Sequence, residues 1–169
     1  MNVILCGMMG SGKTTVSLAL AKLMGFERAD TDEYIVSRYG NISEIFEKQG
    51  EAYFRGLETQ VAAELSEKDR LVISTGGGLV LNKQNVELLR KNGVIVYLRA
   101  NLSTLVKRLS KDKDRPLLKG GESLEKRLAS LSQERAPIYE EVSNYTVDVD
   151  GKTPEEIAGE IAGHVQVEK

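Results

Sequence analysis

Residues 7–14 form a glycine-rich octapeptide, Gly-Met-Met-Gly-Ser-Gly-Lys-Thr, whose residue types suit the binding of phosphate. It matches the pattern G-x-x-x-x-G-K-[ST], in which backbone N–H groups and a helix N-terminus surround phosphate oxygens. In this pattern Lys13 contacts the β- and γ-phosphates of a nucleotide and Thr14 binds Mg²⁺. A strand-like run, Val3 to Cys6, precedes it, and apolar residues at helical spacing follow it. We therefore predict a nucleotide-binding P-loop rather than an ordinary turn between a strand and a helix.

Two carboxylates, Asp30 and Asp32, follow the next predicted strand, from Phe26 to Ala29. Ligands of open α/β sheets bind at the carboxyl ends of strands, which favours a functional role for the pair. The same residues suit the capping of a helix that begins near Glu33. Position alone leaves both interpretations open.

Arg55 lies on a helix predicted from about residue 51 to residue 67. The buried stripe of that helix comprises Phe54, Leu57, Val61 and Leu65. Glu58 follows Arg55 by three residues, so the two side chains can pair. Taken alone, a surface ion pair is the simpler interpretation of Arg55.

Three consecutive glycines, Gly76, Gly77 and Gly78, follow the predicted strand from Leu71 to Ser74. Glycines allow close backbone approach, and their N–H groups are suited to a ligand hydroxyl or oxyanion. Glycine runs are also common in turns, so a flexible strand-to-helix turn is the alternative.

The segment of about residues 111–121 interrupts the alternation with charges of both signs, Pro116 and a glycine pair, a composition typical of a mobile lid. A solvated linker is the alternative, and we prefer it for the lysines.

A long helix resumes near Ser123, and we expect Ala136-Pro137 to disturb it just after Arg135. A last strand follows from Tyr145, and Thr153 begins a final helix that carries His164 near its end, away from catalysis.

The composition describes a single α/β domain spanning residues 1–169. Strands that alternate with helices predict a five-stranded parallel sheet with helices on both faces, and 41% apolar content supplies its core. A net charge of −2 gives no reason to expect nucleic acid as a partner. We find neither a signal peptide nor an apolar run near the ~20 residues of a membrane-spanning helix. We expect a soluble, cytoplasmic monomer in which the lone Cys6 is a small buried hydrophobe.

Taken together, these motifs resemble the shikimate kinases, small P-loop kinases with a nucleoside-monophosphate-kinase-like fold. The resemblance covers nearly the whole chain. Besides residues 7–14, it rests on Asp30-Thr31-Asp32, Ile45-Phe46, Gly50-Glu51, Phe54-Arg55 with Glu58, Thr75-Gly76-Gly77-Gly78, Arg115-Pro116-Leu117-Leu118 and Glu134-Arg135 with Tyr139.

The resemblance implies a role for each of these groups. ATP would be bound by Gly10, Ser11, Gly12, Lys13, Thr14, Thr15, Arg108, Arg115 in the lid and Lys152 after the last strand. Shikimate would be bound by Asp32, Arg55, Gly76, Gly77, Gly78 and Arg135, within and around a substrate-binding helical segment of about residues 32–60. The two arginines would hold its carboxylate, since a guanidinium binds a carboxylate through two parallel hydrogen bonds. Thr14 and Asp30 would support Mg²⁺.

The reaction implied is in-line transfer of the γ-phosphoryl group from ATP to the 3-hydroxyl of shikimate. The expected catalytic residues are Lys13, Asp32 and Arg115, with Asp32 accepting or aligning the hydroxyl proton. Another P-loop kinase, for gluconate or a nucleoside monophosphate, is the second enzymatic hypothesis. A binding module that has lost turnover is the third, but such a module would lack Lys13, Asp32 or an arginine of the pair.

Overall fold

The computed structural model describes residues 1–110 and 123–166. Within these residues, five parallel strands form one sheet in the order β2-β3-β1-β4-β5. Their bounds are Asn2–Cys6 for β1, Glu27–Asp30 for β2, Leu71–Ser74 for β3, Gly93–Arg99 for β4 and Tyr145–Asp148 for β5. The prediction of a five-stranded parallel sheet is confirmed. The predicted lid, with Arg115, lies outside the described residues.

Helices connect the strands and flank the sheet. They are α1 (Lys13–Met24), α2 (Thr31–Tyr39), α3 (Ile42–Gln49), α4 (Glu51–Ser66), α5 (Lys83–Arg90), α6 (Leu102–Ser110), α7 (Leu124–Val142) and α8 (Pro154–Gln166), with a 3-10 turn at Leu79–Leu81. Local sequence explains several helix starts. For example, Thr153 and Glu156 form a reciprocal capping box at α8, in which each side chain accepts from the other's backbone N–H.

Each face of the sheet carries its own apolar core, because side chains alternate along a strand. In β1, Val3 and Leu5 pack with α1 and α8, whereas Ile4 and Cys6 pack on the opposite face with α4 to α7. Helices therefore cover both faces, as predicted. Burial raises the pKa of the Cys6 thiol to about 12, which agrees with a packing role.

Helix α7 continues through Pro137 to Val142, so our prediction that Ala136-Pro137 would disturb it is wrong. A proline inside a helix removes one hydrogen bond and costs about 3 kcal/mol. Tertiary packing offsets this cost, because Tyr139 is fully buried and its ring lies 5.2 Å from that of Tyr97 in β4. None of the helices in the described ranges is long and apolar enough to cross a membrane.

Candidate active site

The predicted site residues meet at one edge of the sheet. Strands β2, β3 and β1 are neighbours and run in the same direction, so their carboxyl ends lie side by side. Residues 7–14 leave β1, Asp30 ends β2, and the glycine turn of residues 76–78 follows β3. The expected clustering at this edge is confirmed.

The P-loop depends on glycine where its backbone is left-handed. Gly10 has a φ of 82° and Gly12 a φ of 98°, which residues with side chains rarely adopt. The Ser11 hydroxyl is buried and has no hydrogen-bond partner within the described part of the chain. The Lys13 ammonium donates to the carbonyl oxygen of Gly7, with a longer contact of 3.4 Å to that of Met8. The loop thus holds a cation and an unsatisfied hydroxyl, both of which suit a phosphate.

The loop lines a cavity of about 410 Å³, which we call the nucleotide cavity. Arg108 of α6 and Lys152 after β5 also line it. Arg108 Nη1 donates to the Gly10 carbonyl over 3.0 Å, and Lys152 Nζ donates to Glu160 Oε2 over 2.9 Å. Both predicted outer residues of the nucleotide site therefore border the same space as the loop.

The two acids after β2 have different surroundings. Asp30 caps α2, since its carboxylate accepts from the N–H of Glu33 over 3.0 Å, and Arg28 Nη2 lies 3.5 Å from Asp30 Oδ2. Asp32 lies in the first turn of α2 and borders the nucleotide cavity and a second cavity beside it. Asp30 therefore caps α2 and also lines the nucleotide cavity, whereas Asp32 lines both cavities.

The donors around the P-loop fit a magnesium ion. Thr14, which has a hydroxyl group, and Asp30, which has a carboxylate, both line the nucleotide cavity. Mg²⁺ in nucleotide sites is bound by one or two such groups, with phosphates and water as its other ligands. The described residues contain no cluster of three or more acidic, histidine or cysteine side chains that could hold a metal ion.

The second cavity, of about 550 Å³, is named here the acceptor cavity. It is lined by Met9, Asp32, Ile42, Phe54, Arg55, Glu58, Gly76, Gly77, Gly78 and Arg135. All six predicted substrate-binding residues border it, including Arg135 of α7. It shares Met9, Asp32, Gly76 and Gly77 with the nucleotide cavity, so the two spaces adjoin at Asp32.

The three glycines of the turn serve close approach rather than unusual dihedral angles, since none has a left-handed φ. A Cβ atom on each would approach a different charged side chain: Asp32 Oδ1 at 2.7 Å from Gly76, Arg135 Nη1 at 3.0 Å from Gly77, and Arg55 Cζ at 2.9 Å from Gly78. The Gly76 N–H donates to Thr31 Oγ1 over 2.9 Å. The absence of a side chain at Gly76 therefore leaves space for Asp32. The Gly76 N–H already has an acceptor inside the protein, so we assign it no ligand.

Glu58 is a site residue that the predicted set did not include. Its carboxylate accepts from Arg55 Nη1 over 2.7 Å, but its side chain is only 2% exposed, so the surface-pair interpretation is wrong. Burial raises the pKa of Glu58, while the hydrogen bond and charge of Arg55 act in the opposite direction. The sequence contains a signal for this burial, because Glu58 falls at helical spacing on the apolar stripe of α4. An acid within such a stripe is seldom fully buried unless it is paired.

An α/β sheet with a P-loop at its carboxyl edge, and an adjoining cavity lined by two arginines and two acids, is typical of the P-loop small-molecule kinases. Within that class, the family model for shikimate kinase matches residues 9–166. The chain belongs to the shikimate kinase family.

Individual relatives agree with this assignment. The shikimate kinase of Caldanaerobacter subterraneus subsp. tengcongensis is 47% identical over 161 residues, which cover 95% of this chain and 93% of the relative. A solved structure of the Acinetobacter baumannii shikimate kinase in complex with shikimate is 40% identical, with a TM-score of 0.91 and coverage of 99% and 94%. A gluconokinase from Sinorhizobium meliloti shares only the fold, at 18% identity and a TM-score of 0.63 over 99% and 97% of the chains.

Proposed function

We propose that this chain transfers the γ-phosphoryl group of ATP to the 3-hydroxyl of shikimate, giving shikimate 3-phosphate and ADP. The observation that carries the proposal is the junction of the two cavities at Asp32, Gly76 and Gly77. A nucleotide on the P-loop and an acceptor beside Arg55 would bring their reacting groups to this junction. In-line phosphoryl transfer depends chiefly on such positioning and on charge stabilisation.

On the nucleotide side, backbone N–H groups of residues 10–15 surround the phosphates, and Lys13 turns from its carbonyl acceptors to the β- and γ-phosphates. Thr14 and Asp30 would hold Mg²⁺, which would offset charge on the phosphates. Arg108 and Lys152 line the same cavity, and we assign them to the part of the nucleotide away from the transferring phosphate. Arg115 is assigned to the transferring group from its sequence alone.

On the acceptor side, the guanidinium groups of Arg55 and Arg135 bind the carboxylate of shikimate. Arg55 Nη1 donates to Glu58 and Nη2 makes a longer contact of 3.4 Å to Glu51, so the remaining N–H groups serve the ligand. The backbone at Gly77 and Gly78 allows the ring to approach closely. A cyclic acid with several hydroxyls matches a cavity that combines two guanidinium groups, the carboxylates of Asp32 and Glu58 and a glycine backbone.

Asp32 acts on the attacking hydroxyl. Its carboxylate borders both cavities, where it can align the 3-hydroxyl and accept its proton. The hydroxyl oxygen then forms a bond to the γ-phosphorus, and the bond from that phosphorus to the β–γ bridging oxygen breaks. The electron pair leaves with ADP.

A coupled assay of ADP release with shikimate, gluconate and nucleoside monophosphates as separate acceptors tests this function. We expect turnover with shikimate alone and a single phosphorylated product, which ³¹P NMR should assign to position 3. Turnover with gluconate or a nucleotide instead would overturn the proposal. The absence of turnover with every acceptor would favour the binding-module hypothesis, although the chain retains Lys13, Asp32, Arg55 and Arg135.

A further inference from the structure

Two buried hydroxyl groups bind the glycine turn from opposite sides. Thr31 Oγ1, at the start of α2, accepts from the Gly76 N–H over 2.9 Å. The Tyr139 hydroxyl of α7 donates to the Gly77 carbonyl oxygen over 2.6 Å. Both residues are fully buried. The turn is therefore bound to α2 and α7 by two residues that lie more than 100 positions apart in the sequence.

Each hydroxyl comes from the helix that also supplies the charged neighbour of the same glycine. Thr31 binds Gly76, and the adjacent residue Asp32 lies against Gly76. Tyr139 binds Gly77, and Arg135, which is one helical turn earlier on α7, lies against Gly77. The two bonds thus set the distance from the turn to the carboxylate and to the guanidinium.

A glycine turn needs such support more than other turns do. Glycine loses more conformational freedom on folding than any other residue, so an unsupported Gly76-Gly77 would sample several backbone conformations. The preceding residue, Thr75, is anchored to the Leu5 carbonyl through its N–H and its hydroxyl. Beyond that anchor, the Thr31 hydroxyl accepts from the Gly76 N–H, and the Tyr139 hydroxyl donates to the Gly77 carbonyl oxygen.

The Tyr139 hydroxyl is suited to a permanent donor role. Burial raises the pKa of Tyr139 to about 12, although the nearby charge of Arg135 lowers it. The phenol therefore keeps its proton at neutral pH and can donate it to Gly77. Its ring is held against Tyr97, so the hydroxyl has a fixed position.

We propose that Thr31 and Tyr139 are positioning residues for the acceptor, which fix the glycine turn so that Asp32 and Arg135 are correctly spaced for one substrate molecule. The inference rests on the proposed function and assigns these residues no contact with substrate. It predicts a selective effect. Loss of either hydroxyl should weaken shikimate binding more than ATP binding, because residues 10–15, which line the nucleotide cavity, belong to a separate segment after β1.

The test uses Tyr139→Phe and Thr31→Val, which remove each hydroxyl while keeping the side chain's shape. Each should raise the KM for shikimate by about threefold to thirtyfold, the range for one lost hydrogen bond or one unsatisfied buried group. The KM for ATP should rise by a smaller factor. Thr31→Ser retains the hydroxyl that Thr31→Val removes, so its KM for shikimate should stay close to that of the wild type. Tyr97→Phe removes the hydroxyl of the adjacent ring and serves as the matched control, with no change expected.

An unchanged KM for shikimate in both variants would overturn the inference, as would an equal rise in the KM for ATP, which indicates a general loss of structure. A second readout does not depend on activity. The amide of Gly76 should exchange with solvent faster in Thr31→Val than in the wild type without any ligand, and equal exchange would also overturn the inference. If the wild type fails to phosphorylate shikimate, the proposed function fails, and the exchange measurement still decides whether Thr31 holds the turn.

Discussion

Arg55 Nη1 donates to Glu58 Oε1 over 2.7 Å, and the two partners have unlike surroundings. The Glu58 side chain is 2% exposed, whereas that of Arg55 is 34% exposed and borders the acceptor cavity. A buried carboxylate therefore fixes one edge of a guanidinium whose other edge is accessible. Glu51 adds a longer contact of 3.4 Å to Arg55 Nη2.

Glu58→Gln should change how stability depends on pH. Burial raises the pKa of Glu58 above its ordinary value of 4.5, despite the opposing effect of Arg55, so the folded protein keeps this proton to higher pH than the unfolded chain. The contribution of Glu58 to stability is fully present below the unfolded pKa and is lost as pH rises through the folded pKa. The wild type should therefore lose stability relative to Glu58→Gln as pH increases from about 4.5.

Urea denaturation of the wild type and Glu58→Gln at a series of pH values from about 4.5 upwards measures the difference in their free energies of unfolding. A difference that stays constant, or that grows in favour of the wild type as pH rises, would contradict the raised pKa.

Arg55→Lys and Arg135→Lys should each raise the KM for shikimate about tenfold or more. Lysine keeps the charge but lacks the planar fork, and a hydrogen bond to a charged group contributes about 1.5–3 kcal/mol. Steady-state kinetics with shikimate varied at saturating ATP gives the value. Arg38→Lys is the matched control, since Arg38 makes a two-pronged pair with Glu64 at an exposed site. If the KM does not change while stability falls, Arg55 is only the structural partner of Glu58.

Gly78→Ala should impair acceptor binding without unfolding the protein. The new methyl group would lie 2.9 Å from Arg55 Cζ, so the guanidinium must move from its position beside the turn. We expect a raised KM for shikimate and a normal KM for ATP. Gly159→Ala in α8 is the control, because its methyl group meets no described atom within 4 Å and should add up to about 1 kcal/mol of stability. Equal kinetics for both variants would show that Gly78 has no steric role.

Lys13→Ala should lower kcat by about 10³-fold or more, by analogy with the loss of an arginine finger that stabilises transferring phosphate. The substitution leaves the backbone of the P-loop in place. Single-turnover kinetics separates this effect on chemistry from ATP binding. Lys22→Ala removes an exposed lysine from the last turn of the same helix and should be without effect. Near-normal turnover in a folded Lys13→Ala protein would exclude the loop from catalysis.

Arg115→Ala should lower kcat more than it weakens shikimate binding. This prediction comes from the sequence, since Arg115 lies outside the described residues. A charge that acts mainly on the moving phosphoryl group stabilises the transition state more than the bound substrate. The measurement compares kcat with the Kd for shikimate, and Lys113→Ala serves as the control within the same segment. An unchanged kcat for Arg115→Ala would support the solvated-linker interpretation.

Local patterns in the sequence determined much of this protein. The octapeptide from Gly7 to Thr14, its flanking strand and helix, and the cap at Thr153 depend on neighbours within a few residues, so their residue types suffice to predict them. The alternation of strands and helices then predicted the parallel sheet, because parallel strands require crossover connections. The same rule predicted that the site would lie at the carboxyl edge.

Only the tertiary structure decided which residues meet there. The sheet order sets β3 between β1 and β2, and this order brings Gly76 to Asp32 and α7 to Gly77. The burial of Glu58 and the passage of α7 through Pro137 are likewise decided by packing. Helix and turn propensities act over a few residues, whereas these contacts join segments separated by 40 residues or more. Their energies come from burial in the complete fold, which a short sequence window does not contain.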